Sequence, residues 1–258
     1  MPHRIPVVLV VLCLSLSGCG QDYSLAPPAA SELMTVTVKV PKELKAKTLE
    51  VMYRSAICKR ITYGASGQRI ELEGYHGIDV QLQRQGQSDL YAAKLPMDGG
   101  GACQWHLSNV TFGVTYGDPT RFGENVTWGA GGGVVVMFDH NRPSRSYGLP
   151  IKVEGDLTIK KDYYLWVDEE FLGQYKKTVN LAGEGDVYLM YQALQARQVY
   201  LEPILHSDYV IYSAGPKVKK KGNHTTFIYP DGSVVADGRS EPNFRKLQAM
   251  RLSAEGQQ

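Results

Sequence analysis

Alternating apolar and polar positions dominate this sequence and predict β-strands. Between residues 34 and 40, Met and Val side chains alternate with Thr and Lys, the period of two expected of a strand with one buried face. Comparable runs predict strands at 48–54, 69–73, 78–84, 103–116, 133–138, 149–160, 186–192, 198–204 and 208–213. Abundant Val and Thr, with 16 tyrosines, suit a pleated surface. The regular spacing of these short runs predicts an all-β protein with a β-sandwich architecture.

Two features near the C-terminus add detail to this prediction. A Tyr-Pro-Asp-Gly turn at 229–232 separates the apolar segments 225–228 and 233–236, which predicts a β-hairpin. Helical periodicity is scarce, and 242–252 is its best candidate, with an irregular final segment as the alternative. In that helix Ser240 would be the cap and Pro242 the opening residue, and one face would carry Phe244, Leu247 and Met250.

The polar segment 141–148, which contains Pro143, is the best candidate for a domain boundary. It would divide the chain into an N-terminal β-sandwich subdomain, 34–145, and a C-terminal β-sandwich subdomain, 146–258. No internal repeat is evident, so one extended sandwich is the alternative.

The N-terminus has the form of a secretory signal peptide. An apolar run, 7–16, follows Arg4 and is too short to span a bilayer as a helix. The next residues, Leu16-Ser17-Gly18-Cys19, resemble the lipobox of bacterial lipoproteins. The resemblance implies that residues 1–18 are removed as a signal peptide and that Cys19 is acylated as the mature N-terminus.

The resemblance to lipoproteins also predicts a location. The residue after Cys19 is Gly20, not the Asp that retains enterobacterial lipoproteins at the inner membrane. We therefore expect a periplasmic body anchored by lipid to the inner leaflet of the outer membrane. Residues 19–33, which include the Ala- and Pro-rich stretch 26–30, would be the lipidated N-terminus and a flexible linker.

The charge balance argues against a nucleic-acid partner. The chain has 28 Lys and Arg against 26 Asp and Glu. Removing residues 1–18 takes away only Arg4, so 27 cations face 26 anions and the mature net charge is +1. A nucleic-acid-binding surface would show a strong basic bias.

The cysteines predict one disulfide. Cys13 leaves with the signal peptide and Cys19 takes the lipid, which leaves Cys58 and Cys103 in an oxidising compartment. A bond between them closes a loop of about 46 residues, worth about 4 kcal/mol by the chain-entropy estimate. Two buried free thiols are the alternative. Neither cysteine belongs to a CxxC pair or has histidines at ligand spacing, which argues against a metal site.

Local motifs of common hydrolases are absent from the sequence. The stretch 64–67 does not fit G-x-S-x-G, and H-E-x-x-H does not occur. Asp139 and His140 would point to opposite faces of a strand, whereas His206 and Asp208 could share a face. Because catalytic groups can also converge from distant strands, this absence only favours a binding protein over an enzyme. We expect no cofactor.

Two charged segments are candidates for a partner interface. Aromatic rings beside charge are common at binding hot spots, and such rings precede an acidic group at 168–170. A basic run at 217–221 would be either a solvated loop or a contact for acidic protein or lipid headgroups. The candidate interface residues are Tyr164, Trp166, Asp168, Glu169, Glu170, Lys219 and Lys220. The alternative is a strand with inward-packed rings and a solvated acidic turn.

Six stretches of the mature chain, with the lipobox and the paired cysteines, form a family pattern: 53–58, 75–80, 98–105, 107–113, 180–186 and 216–222. In these the chain resembles the lipoprotein immunity proteins that partner phospholipase effectors of type VI secretion systems. The resemblance implies a non-enzymatic inhibitor that binds a cognate phospholipase, of the D or A type, and covers its active site. A further hypothesis is that the acidic group at 168–170 enters the phosphate-binding active site of the phospholipase and mimics a phosphate there. A periplasmic lipoprotein that binds glycan or an envelope-assembly partner is the alternative.

Overall fold

Two sheets packed against each other form the protein, which confirms the predicted all-β sandwich. The computed structural model describes residues 22–143, 149–184 and 188–256, and these form 17 strands, one 3-10 helix (Pro119–Phe122) and one α-helix, α1 (Phe244–Glu255). The strands are β1 (Leu33–Lys39), β2 (Leu44–Ala46), β3 (Leu49–Tyr63), β4 (Arg69–Val80), β5 (Gln83–Arg84), β6 (Leu90–Pro96), β7 (Asp98–Gly100), β8 (Trp105–Tyr116), β9 (Val126–Gly131), β10 (Gly133–Met137), β11 (Ile151–Lys152), β12 (Leu157–Glu170), β13 (Lys176–Ala182), β14 (Tyr188–Gln192), β15 (Gln198–Ala214), β16 (Thr226–Ile228) and β17 (Val234–Val235).

Both sheets combine strands from the two sides of segment 141–148. The first sheet has the order β5-β6-β1-β15-β12-β13-β9, with β16 beside β15 and β17 beside β16. The second has the order β11-β14-β10-β8-β3-β4, with β2 and β7 beside β8. Strand β1 thus lies beside β15, and β10 beside β14. Strands from both predicted subdomains thus share each sheet. Residues 144–148 of the predicted boundary lie outside the described residues.

The core lies between the sheets and follows the period-two pattern of the strands. In β3, for example, Leu49, Val51 and Tyr53 are buried, whereas Glu50 between them is exposed. Side chains from β1, β8, β10, β12 and β15 join the same cluster. The alternation in the sequence therefore reports directly which side chains enter the core.

A smaller apolar cluster covers the outer face of the first sheet. Tyr164, Ile211, Phe227, Tyr229 and Leu247 are buried together there, beneath α1 and the β16–β17 hairpin. The structure confirms the predicted hairpin.

The helix prediction is correct in place but wrong in its cap. The N-cap of α1 is Asn243, whose side chain accepts from the Lys246 backbone N–H at 3.2 Å, and Ser240 lies outside the helix. Asn243 stands directly before the first helical residue, where a side-chain oxygen reaches a free N–H group.

The sandwich has two ends, which we call the N-terminal end and the far end. Strand β1 begins at Leu33, opposite the last residue of β6, Pro96, and these define the N-terminal end. Strands β12 and β15 run parallel to β1 and finish at Glu170 and Ala214, which define the far end. Loops at the two ends are therefore separated by the length of the strands.

Part of the segment predicted as a linker contacts the body of the sandwich. The Ala26 N–H donates to the Gly99 carbonyl at 2.9 Å, and the Trp105 indole N–H donates to the Tyr23 carbonyl at 3.1 Å. Leu25 packs against the core. These contacts, which local composition does not reveal, hold the segment against the N-terminal end. Cys19 and the predicted signal peptide lie outside the described residues.

Candidate interaction surfaces

The predicted disulfide is present and fixes the base of a projecting hairpin. Cys58 and Cys103 are bonded with an S–S distance of 2.01 Å, and both are buried. Beside them, the buried Ser55 hydroxyl donates to the Cys103 carbonyl at 2.5 Å and accepts from the Cys58 N–H at 2.9 Å. A Cβ at Gly74 would stand 1.8 Å from the Cys58 carbonyl oxygen, so this close crossing requires glycine.

Beyond this base, β3 and β4 continue as a two-stranded ribbon that we call the arm, residues 56–73. Strand β3 pairs with β8 only over Glu50–Arg54, whereas its pairing with β4 resumes at Arg60–Tyr63 after an irregular stretch. The arm therefore has no third strand at its side among the described residues. A hairpin of this kind is marginal in water unless another element supports it.

The arm exposes more apolar surface than a solvated ribbon requires. Ile57, Ile61 and Tyr63 are 54%, 51% and 69% exposed, and Leu72 and Tyr75 on β4 are also exposed. Ile61 and Tyr63 are two residues apart on β3 and therefore share a face. Exposed apolar groups on a shared face indicate an interaction site. The sequence analysis did not predict the arm, because the strand predicted at 48–54 stops before it. The Ile and Tyr residues at 57, 61 and 63, which precede a Gly-containing turn, could have indicated that this strand continues.

At the far end the structure separates the predicted interface residues into buried and exposed groups. Tyr164 is buried, and its hydroxyl accepts from Arg251 Nε at 3.0 Å beneath α1. Trp166 is partly buried on the same face, and its indole N–H donates to Ser213 Oγ at 2.6 Å. These rings hold the C-terminal segment on the sheet, so the structure removes Tyr164 from the candidate contact surface.

The acidic group is the last part of β12 and is largely tied to neighbouring side chains. Ser213 donates to Asp168, and burial raises the pKa of this half-buried carboxyl. Glu169 lies 2.9 Å from Lys177 Nζ, and Glu170 lies 4.0 Å from Lys176 Nζ. Only Glu170 is exposed. A phosphate mimic needs a carboxylate that can enter a partner's site, and of these three acids Glu170 is the exposed one, with the longest ion-pair distance.

The basic run lies against the turn that follows the acidic group. The Gly215 N–H donates to the Glu169 carbonyl at 2.7 Å, and Lys217 Nζ lies 5.3 Å from the ring centroid of Phe171. The Phe171 and Tyr175 rings are 5.5 Å apart. We call this cluster the far-end surface: Glu170, Phe171, Leu172, Tyr175, Lys217, Val218, Lys219, Lys220 and Lys221.

The far-end surface combines exposed apolar side chains with cations. Leu172, Tyr175 and Val218 are 46%, 54% and 64% exposed. Lys219 and Lys220 are exposed within the same loop. The structure thus brings the acidic and basic candidates of the sequence to one end of the sandwich and adds apolar neighbours that sequence analysis did not single out.

Among the described residues, the closest acid–histidine pair differs from the one suggested by the sequence. His206 Nε2 lies 2.5 Å from Asp162 Oδ1, and the His206 ring stacks on Tyr164 with centroids 5.0 Å apart. Asp162 and His206 lie on the adjacent strands β12 and β15. Within the described residues, no three His, Cys, Asp or Glu side chains are grouped as metal ligands. In the same part of the chain, no helix is both long and hydrophobic enough for a membrane span.

Comparison of the chain with family models, with curated proteins and with solved structures gave no match.

Proposed function

We propose that this protein is a lipid-anchored immunity protein that binds a cognate type VI phospholipase effector in the periplasm and blocks its active site. The proposal rests on the lipobox at 16–19 and on the sequence resemblance to effector-immunity lipoproteins. The observation in the structure that best supports a binding role is the far-end surface, where aromatic, aliphatic and charged side chains from two loops adjoin.

The position of the far-end surface suits capture of a soluble partner. Residues 22–26 are held at the N-terminal end, so a lipid on Cys19 places that end toward the membrane. The far-end surface then faces the periplasmic space, from which an incoming effector arrives. An inhibitor of this kind buries about 1,600 Å² in total, about half on each partner. The two loops and the adjoining strand ends would supply part of that area.

The chemistry of the far-end surface suggests how it binds. Tyr and aliphatic side chains supply apolar contact area, and the lysines steer an acidic partner and set the orientation of docking. Because these lysines are exposed, we expect them to affect the association rate more than the dissociation rate.

Calorimetric titration of the mature protein with the phospholipase encoded beside its gene tests the proposal. The expected result is one-to-one binding in the nanomolar range. The pair Lys219→Glu/Lys220→Glu should weaken binding at least tenfold. The matched control is Lys94→Glu/Lys152→Glu, which makes the same charge change at exposed sites on β6 and β11 and should bind like the wild type.

The possible outcomes distinguish the proposed immunity function from the assignment of the far-end surface as its binding site. Absence of binding to the phospholipase contradicts the immunity function and favours the glycan or envelope-assembly role. Tight binding that both charge-reversed proteins retain keeps the function and contradicts the assignment of the far-end surface.

A further inference from the structure

The described chain begins close to the base of the arm. The Asp22 carbonyl oxygen lies 3.6 Å from Cys103 Sγ, and Cys103 is the partner of Cys58 at that base. Only three peptide units separate Cys19 from Asp22, a reach of about 10 Å even when fully extended. A lipid on Cys19 is therefore attached within a short distance of the disulfide.

That distance is comparable with the thickness of the polar part of a bilayer. The headgroup region on each side of the hydrocarbon core is about 5–8 Å thick. Acyl chains on Cys19 lie in the hydrocarbon, so a tether of about 10 Å holds the N-terminal end of the sandwich against the headgroups. The docked segment 22–26 leaves no slack that would let the body move away.

The arm projects from the same end of the sandwich. Strand β3 is part of the core at Tyr53, whose hydroxyl donates to the Pro96 carbonyl at 2.9 Å. The strand leaves the sandwich after Ser55. From Cys58 to Tyr63 the ribbon extends about 17 Å at about 3.3 Å per residue. An arm of this length, at the tethered end, reaches the zone occupied by headgroups.

The side chains of the arm suit that zone. Its exposed aliphatic and tyrosine side chains are the types that enter the membrane interface, where one end of a ring is apolar and the other is hydrated. Lys59, Arg60 and Arg69 can extend along the apolar surface and keep their charges at phosphate level. Glu71 pairs with Lys59 at 3.3 Å and with Arg69 at 3.0 Å. With Glu73 counted as well, three cations face two acids and the arm has a net charge of +1.

We propose that the arm, residues 56–73 with the adjoining Tyr75, lies in the headgroup region of the membrane that holds the lipid on Cys19. This inference rests on the proposed lipidation of Cys19 and is independent of any effector. The lipid anchor and the arm would then both contact the membrane, and the far end of the sandwich would point away from it. The disulfide joins the base of the arm to Cys103, beside the docked N-terminus, so both contacts lie at one end of the sandwich.

Depth-dependent fluorescence quenching tests this proposal on the full lipidated protein. The protein is reconstituted in phosphatidylethanolamine–phosphatidylglycerol vesicles, with an environment-sensitive probe on Ile61→Cys and, as the matched control, on Leu172→Cys at the far end. Nitroxide-labelled lipids should quench the arm probe several-fold more than the control probe. Equal quenching at both positions overturns the proposal, as does a mature chain whose mass shows no lipid on Cys19.

The wild-type chain provides a second measurement that needs no substitution. Trypsin should cut after Lys59, Arg60 and Arg69 at least tenfold more slowly in vesicles than in the lipid-free Cys19→Ala protein, while 219–221 is cut equally in both. Equal rates at the arm contradict the proposal. An arm that becomes protected only when the phospholipase is added would instead be a protein-binding element. The comparisons that decide the proposal are made without the phospholipase, so failure of the immunity function leaves their outcome unchanged.

Discussion

Removal of the Cys58–Cys103 disulfide should lower the stability of the sandwich by a calculable amount. The two residues are 45 apart in sequence, and the chain-entropy relation for a loop of this size gives about 4 kcal/mol at 25 °C. For a chain of this length each kcal/mol corresponds to about 2–4 °C, so we expect the melting temperature to fall by about 8–16 °C. The Cys58→Ala/Cys103→Ala protein avoids two free thiols in a buried site.

Urea unfolding of this variant and of reduced wild type separates two contributions. Reduction removes the cross-link but leaves both sulfur atoms, whereas the double alanine variant also loses their packing at two buried positions. Both proteins should lose about 4 kcal/mol, and the alanine variant slightly more. Hydrogen exchange should also accelerate at 60–63 and 69–72, because the base of the arm is no longer fixed. A loss below about 1 kcal/mol in both proteins would refute the loop-entropy reasoning.

Three further substitutions test the packing at and near the sites. Asp168→Asn should be more stable than wild type at pH 7. Burial raises the pKa of Asp168 in the folded wild-type protein above its usual 3.8. The wild type therefore loses unfolding free energy as the pH rises through that folded-state pKa, whereas the neutral Asn side chain does not titrate. In chemical denaturation, the unfolding free energies of the two proteins should converge below pH 3.8. A difference in unfolding free energy that stays constant at all pH values would contradict this. Leu247→Ala removes a fully buried side chain beneath α1 and should reduce the unfolding free energy by about 2–5 kcal/mol, whereas the exposed Leu252→Ala in the same helix should have little effect. Gly74→Ala places a methyl group against the Cys58 carbonyl and should destabilise more than Gly77→Ala on the same strand, whose Cβ would meet only the Met52 methyl at 3.7 Å; equal melting temperatures would show that the crossing at the arm base relaxes freely.

Local pattern was sufficient for much of the fold. Alternation in β1 and at the start of β3 predicted both strands, because one face of each is buried. The turn residues at 229–232 predicted the β16–β17 hairpin, since Pro and Gly specify turn geometry directly. The disulfide followed from compartment and cysteine count, and the last helix from the period of its apolar positions.

Contacts between distant parts of the chain were not predictable in this way. The parallel pairing of β1 with β15 joins Thr35 to Gln198, and no local signal specifies that partner. The far half of β12 and its pairing with β13 were missed because the acidic group at 168–170 has the composition of a turn. Composition likewise predicted a flexible linker within 19–33, although the Ala26 N–H donates to the Gly99 carbonyl of β7 and the Trp105 indole N–H donates to the Tyr23 carbonyl.

The candidate interface shows the same division. The sequence located the acidic and basic segments, which the structure brings together at the far end through the Gly215–Glu169 hydrogen bond. It did not reveal that Tyr164 is buried under α1, since that depends on a helix more than 80 residues away in the chain. The arm was also not predicted. It is exposed because β8 pairs with β3 only as far as Arg54, and the local sequence of the arm does not report where a neighbouring strand stops pairing.

The most direct test of the central claim is a titration of the cognate phospholipase with the mature protein, measured by hydrolysis of phospholipid vesicles. We expect a linear loss of hydrolysis that is complete at one molecule of this protein per enzyme, with no hydrolysis by the protein alone. Full hydrolysis at a tenfold molar excess of the protein would contradict it.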